Sequence, residues 1–347
     1  MEDCETIGCR ATDGAGLSSV LSDGRWRGPH GIGRFATEIL ARLPEHMQLS
    51  EGPRPLSVVD PLWISYQIRS RRPAAYFSPG FNPPLSCPVP TVITLHDLTH
   101  LQMPFLATPV RRLYYQALLR PSVRRSYRVL TVSEFSRRAI LEWSGLKEES
   151  VVNVGNGVSH QFRPDGPRYQ PSLRYILYVG CAKPHKNLHR LLDAFKLMSS
   201  DDVHLLLTGQ ATEQLAARLR DEPIGKRIRF LGVVPERLLP YLYRGAALVV
   251  LPSLMEGFGL PAIEAMACGT PVVASRAGSL PEVVGDAGVL VDPLDTVSIS
   301  RGMEWVLENS LLRATLRAAG LQRARNFSWK AVAAKVEAVL REAINWC

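Results

Sequence analysis

The sequence predicts an α/β chain folded as two doubly wound domains that face each other across a cleft. Three observations carry this. Short β-rich runs alternate with helix-period runs along nearly all of the 347 residues, the pattern of parallel sheets covered by helices on both faces. The length suits two domains of roughly 150 residues each rather than one. A polar stretch bearing Pro and Gly, residues 157–171, breaks the alternation once near the middle. A hinge is therefore expected near residue 165, with one domain over 16–165 and a second over 171–325. A last helix over 326–347 is expected to pack back towards the first domain. In such sheets ligands bind beyond the carboxyl ends of the strands, so the cleft between the domains is the natural site.

Each element follows from local chemistry. Residues 1–15 are polar and aperiodic and read as a poorly ordered leader. A strand is expected at 17–21, then a Gly/Pro/His loop and a helix over 32–43. Residues 56–59 (Leu-Ser-Val-Val) read as a second strand and 75–77 as a third. A Pro-rich stretch occupies 79–90, and 89–95 is a buried strand by its β-branched content. Over 109–119, Val110, Leu113, Tyr114, Ala117 and Leu118 fall at i, i+3, i+4, i+7 and i+8, an amphipathic helix. Residues 128–132 form another strand, and Ser133 can cap the helix that follows. Beyond 171, strands at 175–179, 203–208, 227–231, 248–251 and 271–274 alternate with helices at 188–198, 212–219, 236–243 and 261–267. Three helices, at about 297–307, 311–323 and 329–343, close the chain.

Composition removes several classes. A hydrophobic fraction of 46% and a charged fraction of 21% are globular values, which excludes disordered and low-complexity chains. No run approaches the ~18 apolar residues of a membrane span. The start, MEDCETIGCR, is acidic and polar and is not a secretory signal. Six cysteines, at 4, 9, 87, 181, 268 and 347, form no CxxC pair and no zinc spacing, and read as free thiols in a reducing cytosol. The net charge of +9 points to an anionic partner: a phosphate-bearing ligand, a membrane surface or nucleic acid. It is concentrated over 111–138, where Arg111, Arg112, Arg120, Arg124, Arg125, Arg128, Arg137 and Arg138 face only Glu134. That block lacks the motifs and interleaved aromatic residues of a nucleic-acid site, so nucleic acid is not expected.

Three motifs carry chemistry. Gly31-Ile32-Gly33-Arg34-Phe35-Ala36 opens a helix, where glycine amides and the helix dipole attract an anion. It also fits a plain turn before a helix. Gly180-Cys181-Ala182-Lys183-Pro184-His185-Lys186-Asn187 follows a strand and precedes a helix. Turn amides and the point charges of Lys183 and Lys186 suit a diphosphate there; solvated lysines are the bland alternative. Glu256-Gly257-Phe258-Gly259-Leu260-Pro261-Ala262-Ile263-Glu264 sets two carboxylates around a helix N-terminus, with Pro261 in the first turn where its missing N–H costs nothing. Dipole compensation explains Glu264 alone and leaves the Gly-Phe-Gly loop unaccounted for.

The segment EGFGLPAIEAMACGTPVVAS, with GSLPEVVGDAG close behind it, resembles the retaining nucleotide-sugar glycosyltransferases of family 4, the group 1 transferases. GIGRF, TLHDLTH, LTVSEFSRRAI, VGNGV and YVGCAKPHKNLHRLL fall in that family's order. The resemblance implies the GT-B fold, two facing Rossmann-like domains with an interdomain cleft. It implies that Glu256 bonds the donor sugar with the backbone of Phe258, Gly259 and Leu260 beside it, that Glu264 takes the ribose hydroxyls, and that Lys186 binds the donor diphosphate. Gly31 and Gly33 would close over the phosphates, and His96 would stand at the reaction centre. Many relatives carry Arg where this chain has His185, whose charge at neutral pH depends on its surroundings, so Lys183 or Arg34 could share the phosphates.

No Asp-x-Asp triplet occurs in the chain, in keeping with the resemblance's metal-independent site and with no cofactor beyond the donor. The resulting expectation is a retaining hexosyltransferase, with GDP-mannose favoured as donor. Its acceptor would be a glycan or polyprenyl-diphosphate-linked chain in exopolysaccharide synthesis. The protein would be cytoplasmic, with the arginine block resting on an anionic inner membrane face. Two rivals stand beside it: an NAD-dependent oxidoreductase using GIGRFA with Asp60 ending the second strand, and a GT-B protein that binds sugar nucleotide without transfer.

Overall fold

The computed structural model describes residues 16–103, 106–220 and 222–346. The leader at 1–15 and the thiols Cys4, Cys9 and Cys347 lie outside the described residues; Cys87, Cys181 and Cys268 are free. The chain forms two six-stranded sheets in which every strand pair is parallel. The first holds β1 (Val20–Asp23), β2 (Met47–Leu49), β3 (Ala75–Ser78), β4 (Thr91–Thr94), β5 (Arg128–Thr131) and β6 (Val151–Asn153), in the order β2-β1-β3-β4-β5-β6. The second holds β7 (Arg174–Tyr178), β8 (Val203–Leu207), β9 (Ile228–Phe230), β10 (Leu248–Leu251), β11 (Val272–Ser275) and β12 (Val289–Val291), in the order β12-β11-β10-β7-β8-β9. Helices cover both faces, so inner strands such as β10 and β11 are buried at every residue and read as near-continuous apolar runs, broken only at Ser275. Burying each of their aliphatic side chains is worth roughly 1.5–3 kcal/mol.

The polar stretch 157–171 joins the two sheets, and the chain returns across the same place. The helix Trp329–Ile344 packs on the helix Gly31–Leu40 and on β3 and β4 of the first half. Phe35 meets Trp329 edge-on at 6.2 Å, and the Val158 amide donates to the Phe327 carbonyl at 3.1 Å. Glycine is required at 157: a Cβ there would lie 2.4 Å from the Trp329 backbone nitrogen. One hydrophobic cluster, including Phe35, Val92, Tyr175, Ala262 and Trp329, runs through both halves.

Three local expectations fail, each for a physical reason. Residues 56–59 are not a strand. Leu56 adopts φ 69°, its amide donates to the Asp60 carboxylate at 3.2 Å, and Val58 is 96% exposed. The run is a turn leading into the helix Asp60–Arg71, with Pro61 in its first turn, and β2 lies earlier in the chain. The amphipathic stripe over 109–119 is also displaced. The helix Pro109–Tyr114 passes through a π-turn over Tyr115–Leu119 into Arg120–Arg125. That extra residue per turn buries Tyr115, Leu119 and Val123 and leaves Val110 and Leu113 79% and 68% exposed. Finally β2, β6 and β12, three-residue edge strands, had no counterpart in the expectation, whereas β9, as short and at the fourth edge, did.

Candidate active site

The site is built where the second sheet reverses its winding. β7 and β10 are neighbours whose helices leave to opposite faces, so the loops after them diverge and open a crevice. After β7, residues Pro184–Lys186 form a single turn and Asn187 adopts φ 61°. Asn187 Nδ2 donates to the carbonyls of Pro252 and Pro293 at 2.9 and 2.7 Å, tying this loop to the one after β10. Across the crevice Lys186 Nζ donates to Glu256 Oε1 at 2.6 Å, and Ser253 Oγ donates to the same oxygen at 2.7 Å. Burial alone would pull the Lys186 ammonium down, but the Glu256 carboxylate outweighs it and holds its pKa above the usual lysine value. His185 behaves otherwise: burial, then the charge of Lys186, pushes it below 6.5. It is neutral at pH 7, and its buried Nδ1 finds no partner among the described residues. Positive charge at this loop comes from Lys183, which is exposed, and Lys186.

The Glu256 loop is held by glycine geometry. Gly278, at φ 61°, lets the Ser279 amide and hydroxyl reach the Glu256 carbonyl at 3.1 and 3.0 Å; a Cβ on Gly278 would stand 2.7 Å from the Glu256 nitrogen. Gly259, at φ 100°, starts the helix Leu260–Ala267 against Leu280. Phe258 is buried and packs on Phe327 at 5.7 Å, so it can offer a ligand only its backbone. One turn into the helix, Glu264 is 2% exposed. Its Oε2 accepts from the Tyr243 hydroxyl at 2.8 Å, and its Oε1 pairs with Arg34 of the opposite domain. Arg34 also pairs with Glu236 at 3.2 Å and lies over the Phe162 ring.

The first domain supplies the facing wall. His96 follows β4, is buried, and donates from Nε2 to the Pro79 carbonyl at 2.9 Å; Phe35 meets its ring edge-on at 5.0 Å. Burial pushes its pKa below 6.5, so the imidazole is neutral. The two domains meet at this point: a Cβ on Gly257 would lie 2.5 Å from Asp97 Oδ2. Gly31 and Gly33 lie in the first turn of the helix Gly31–Leu40, and they differ. The Gly33 amide donates to the capping ring of His30 at 3.0 Å, and its missing side chain admits the Gly28 backbone, which a Cβ would meet at 2.4 Å. Gly31 is exposed, with Leu260 of the second domain the nearest group.

The structure thus joins Lys186 to Glu256 and Glu264 to Arg34, sets Asp97, next to His96, against Gly257, and brings Gly31 towards Leu260, while Lys183 and His185 share the Lys186 loop and Gly259 starts the Glu264 helix. Sequence reasoning missed Tyr243, Ser253 and Glu236, and placed Asn187 only at the end of its motif, without its ties to Pro252 and Pro293. Tyr243 and Ser253 sit one contact behind a motif residue and carry no spacing signal of their own. Asp60, which the oxidoreductase reading needs for a ribose, is fully buried and pairs with Arg25 at 2.6 Å, and the Gly33 amide is already engaged. No helix of the described residues is long and apolar enough to cross a membrane.

Comparison with known proteins finds family models and relatives over most of the chain. A family model for glycosyl transferases group 1 matches residues 167–323, and one for glycosyltransferase family 4 matches residues 25–162. The O-antigen chain mannosyltransferase B of Escherichia coli is 35% identical over 281 residues, spanning 77% of this chain and 74% of that protein. The phosphatidyl-myo-inositol mannosyltransferase of Mycobacterium leprae is 32% identical over 233 residues, 64% of this chain and 61% of that protein. Among solved structures, HepE of Anabaena in complex with UDP and glucose has a TM-score of 0.73 at 18% identity, covering 93% of this chain and 99% of that one. Sucrose-phosphate synthase of Thermosynechococcus elongatus has a TM-score of 0.73 at 19% identity, covering 93% and 98%.

Proposed function

The chain belongs to the group 1, family 4 glycosyltransferases and has their GT-B fold, and from that premise we propose a retaining, metal-independent hexosyltransferase that moves mannose from GDP-mannose to a glycan or lipid-linked acceptor in polysaccharide assembly. The observation that carries the reading is the two ion pairs around the start of the helix Leu260–Ala267, Lys186–Glu256 in the loop before it and Arg34–Glu264 one turn in. Each cation is a ready phosphate ligand, and each carboxylate is a ready acceptor for hydroxyls. When a sugar nucleotide enters, its diphosphate takes Lys186, with Lys183 and Arg34 beside it. Glu256 is then free for the sugar hydroxyls and Glu264 for the ribose.

Bond breaking places negative charge on the leaving diphosphate, so these cations stabilise the transition state more than the ground state. In the structure Glu256 is held by Lys186 and Ser253; with donor bound it turns to the sugar hydroxyls and has no nucleophilic role, and displacement runs on one face with retention. His96 is neutral and can accept a proton or hydrogen bond at Nδ1. Mannose as the sugar rests on the relatives named mannosyltransferases, and a nucleotide donor rests on the UDP bound to HepE.

The decisive experiment is a thermal-shift panel of GDP-, UDP- and ADP-sugars, followed by NMR of the anomeric proton of the product. Ligand at 100 times Kd should add about 2.7 kcal/mol of stability; no shift with any member, or an inverted anomer, sinks the reading. Retained turnover in EDTA tests metal independence. The exposed Val110 and Leu113 beside the exposed Arg111 and Arg112 support peripheral binding to anionic lipid on the cytoplasmic face, at ~1 kcal/mol per basic residue. Equal recovery with anionic and neutral liposomes at low salt would refute it.

A further inference from the structure

The first sheet also reverses its winding, between β1 and β3, and the crevice there is filled by a polar cluster that no step above uses. Asp23 and Asp60 are fully buried and share one cation. Arg25 donates from Nε and Nη2 to Asp23 at 2.8 and 2.7 Å, and from Nη1 to Asp60 at 2.6 Å. Asn82 completes the set. Its Nδ2 donates to both carboxylates at 3.0 Å, and its Oδ1 accepts from Trp26 Nε1 and from Ser78 Oγ, the latter at 2.8 Å. Both donors and both acceptor positions of the amide are therefore used, which leaves it a single orientation.

The same two residues bracket the turn that holds His96. Ser78 Oγ accepts from the Gly80 amide at 3.3 Å, the Gly80 carbonyl accepts from the Thr94 amide at 3.3 Å, and Gly80 lies so close under Trp26 that a Cβ would stand 2.2 Å from its ring. Between Ser78 and Asn82 lies Pro79, whose carbonyl takes the His96 Nε2 hydrogen bond. A carbonyl only accepts, so Nε2 carries the proton and Nδ1 keeps its lone pair. Two buried carboxylates on one guanidinium are a poor choice for stability alone, since apolar packing of the same volume is often as stable or more so.

We propose that Asn82 and Ser78 are positioning residues for the sugar transfer: they fix the turn at 79–81 so that the Pro79 carbonyl holds His96 in the Nε2–H tautomer, leaving Nδ1 to accept from a substrate hydroxyl. This rests on the role given to His96 above. It extends the reaction machinery to a cluster on the far side of the turn from the cleft.

The test is Ser78→Ala, which removes one hydroxyl and is the mildest break in the chain of contacts, with Asn82→Ala as the stronger variant and His96→Ala as the reference. The full-length proteins are compared by 15N ring resonances of His96, and by the rate and KM of GDP release from GDP-mannose. A misplacement approaching 1 Å costs up to roughly a hundred-fold in rate. Ser78→Ala should therefore lower kcat by about ten-fold with KM for GDP-mannose unchanged, and its His96 nitrogens should lose the single-tautomer pattern. If His96→Ala is inactive but Ser78→Ala keeps both its rate and its ring signature, the positioning role is overturned while the reading of His96 stands. If kcat falls with the ring signature unmoved, the positioning role is likewise overturned. If His96→Ala keeps the wild-type rate, the reading of His96 falls and the proposal with it.

Discussion

The two halves have equivalent crevices and use them in opposite ways. Each sheet reverses its winding once, β1 against β3 in the first half and β7 against β10 in the second, and each reversal opens a gap at the strand ends. In the first half the gap is sealed: the side chains of Asp23, Arg25, Asp60 and Asn82 satisfy one another and are no more than 5% exposed. In the second half Lys186 and Glu256 form a single pair with side chains 19% and 12% exposed, backed by Ser253 and open to the cleft. Topology therefore supplies a place for a ligand, and the side chains decide whether it is a site or part of the frame.

If that contrast is right, removing the charges of the first crevice should cost stability and removing those of the second should cost turnover, with only the Ser78–Asn82 arm of the first reaching the reaction, through the Pro79 turn. The largest effect is expected from Arg25→Ala. It leaves two buried carboxylates without a cation and should cost about 3–5 kcal/mol of stability, read from urea denaturation. A loss below ~1 kcal/mol would mean the first crevice is wetter than its contacts imply. Next comes Glu256→Ala, which should lower kcat tens-fold while the melting temperature barely moves, since a hydrogen bond involving a charged group is worth ~1.5–3 kcal/mol. Glu264→Ala should instead raise the donor KM by a similar factor. Wild-type kinetics in both variants at every donor concentration would remove the second crevice from the reaction.

Arg34→Ala probes the contact between the halves. The donor KM should rise several-fold through loss of one phosphate ligand. A lower KM would show instead that Arg34 competes with the ribose for Glu264. The smallest effect concerns pH. Burial lowers the His96 pKa, so its neutral form persists below pH 6.5 and the acid limb of kcat attributable to it should lie below that value. Nδ1 is protonated, and lost as an acceptor, only under that limb. A midpoint above 6.5 in the kcat–pH profile would contradict the buried, neutral histidine.

The parts that were legible in the sequence are those whose physics is local. The strands expected at 248–251 and 271–274 could be read because parallel strands covered on both faces are nearly all apolar. The Glu256–Glu264 segment could be read because glycine and proline mark the loop and helix start directly. The 56–59 run misled because valine content suggests burial, whereas the Asp60 carboxylate organises that run as an exposed turn. Arg34 on Glu264, Tyr243 on Glu264 and Asn82 between two aspartates were not legible. Each joins residues 21 or more positions apart, and only the closed fold brings them together. The roles given to His96, Glu256 and Glu264 came from family resemblance, since no local pattern separates a donor-binding glutamate from one that compensates a helix dipole.

The return of the last helix has a mechanical consequence. The backbone passes between the halves twice, once outward after Gly157 and once back before Trp329, and the two passages are hydrogen-bonded to each other at Val158 and Phe327. One covalent link between two bodies is a tether and permits swivelling. Two links side by side define an axis, as two pins do for a door, so that any opening of the halves is restricted to a bend about one line.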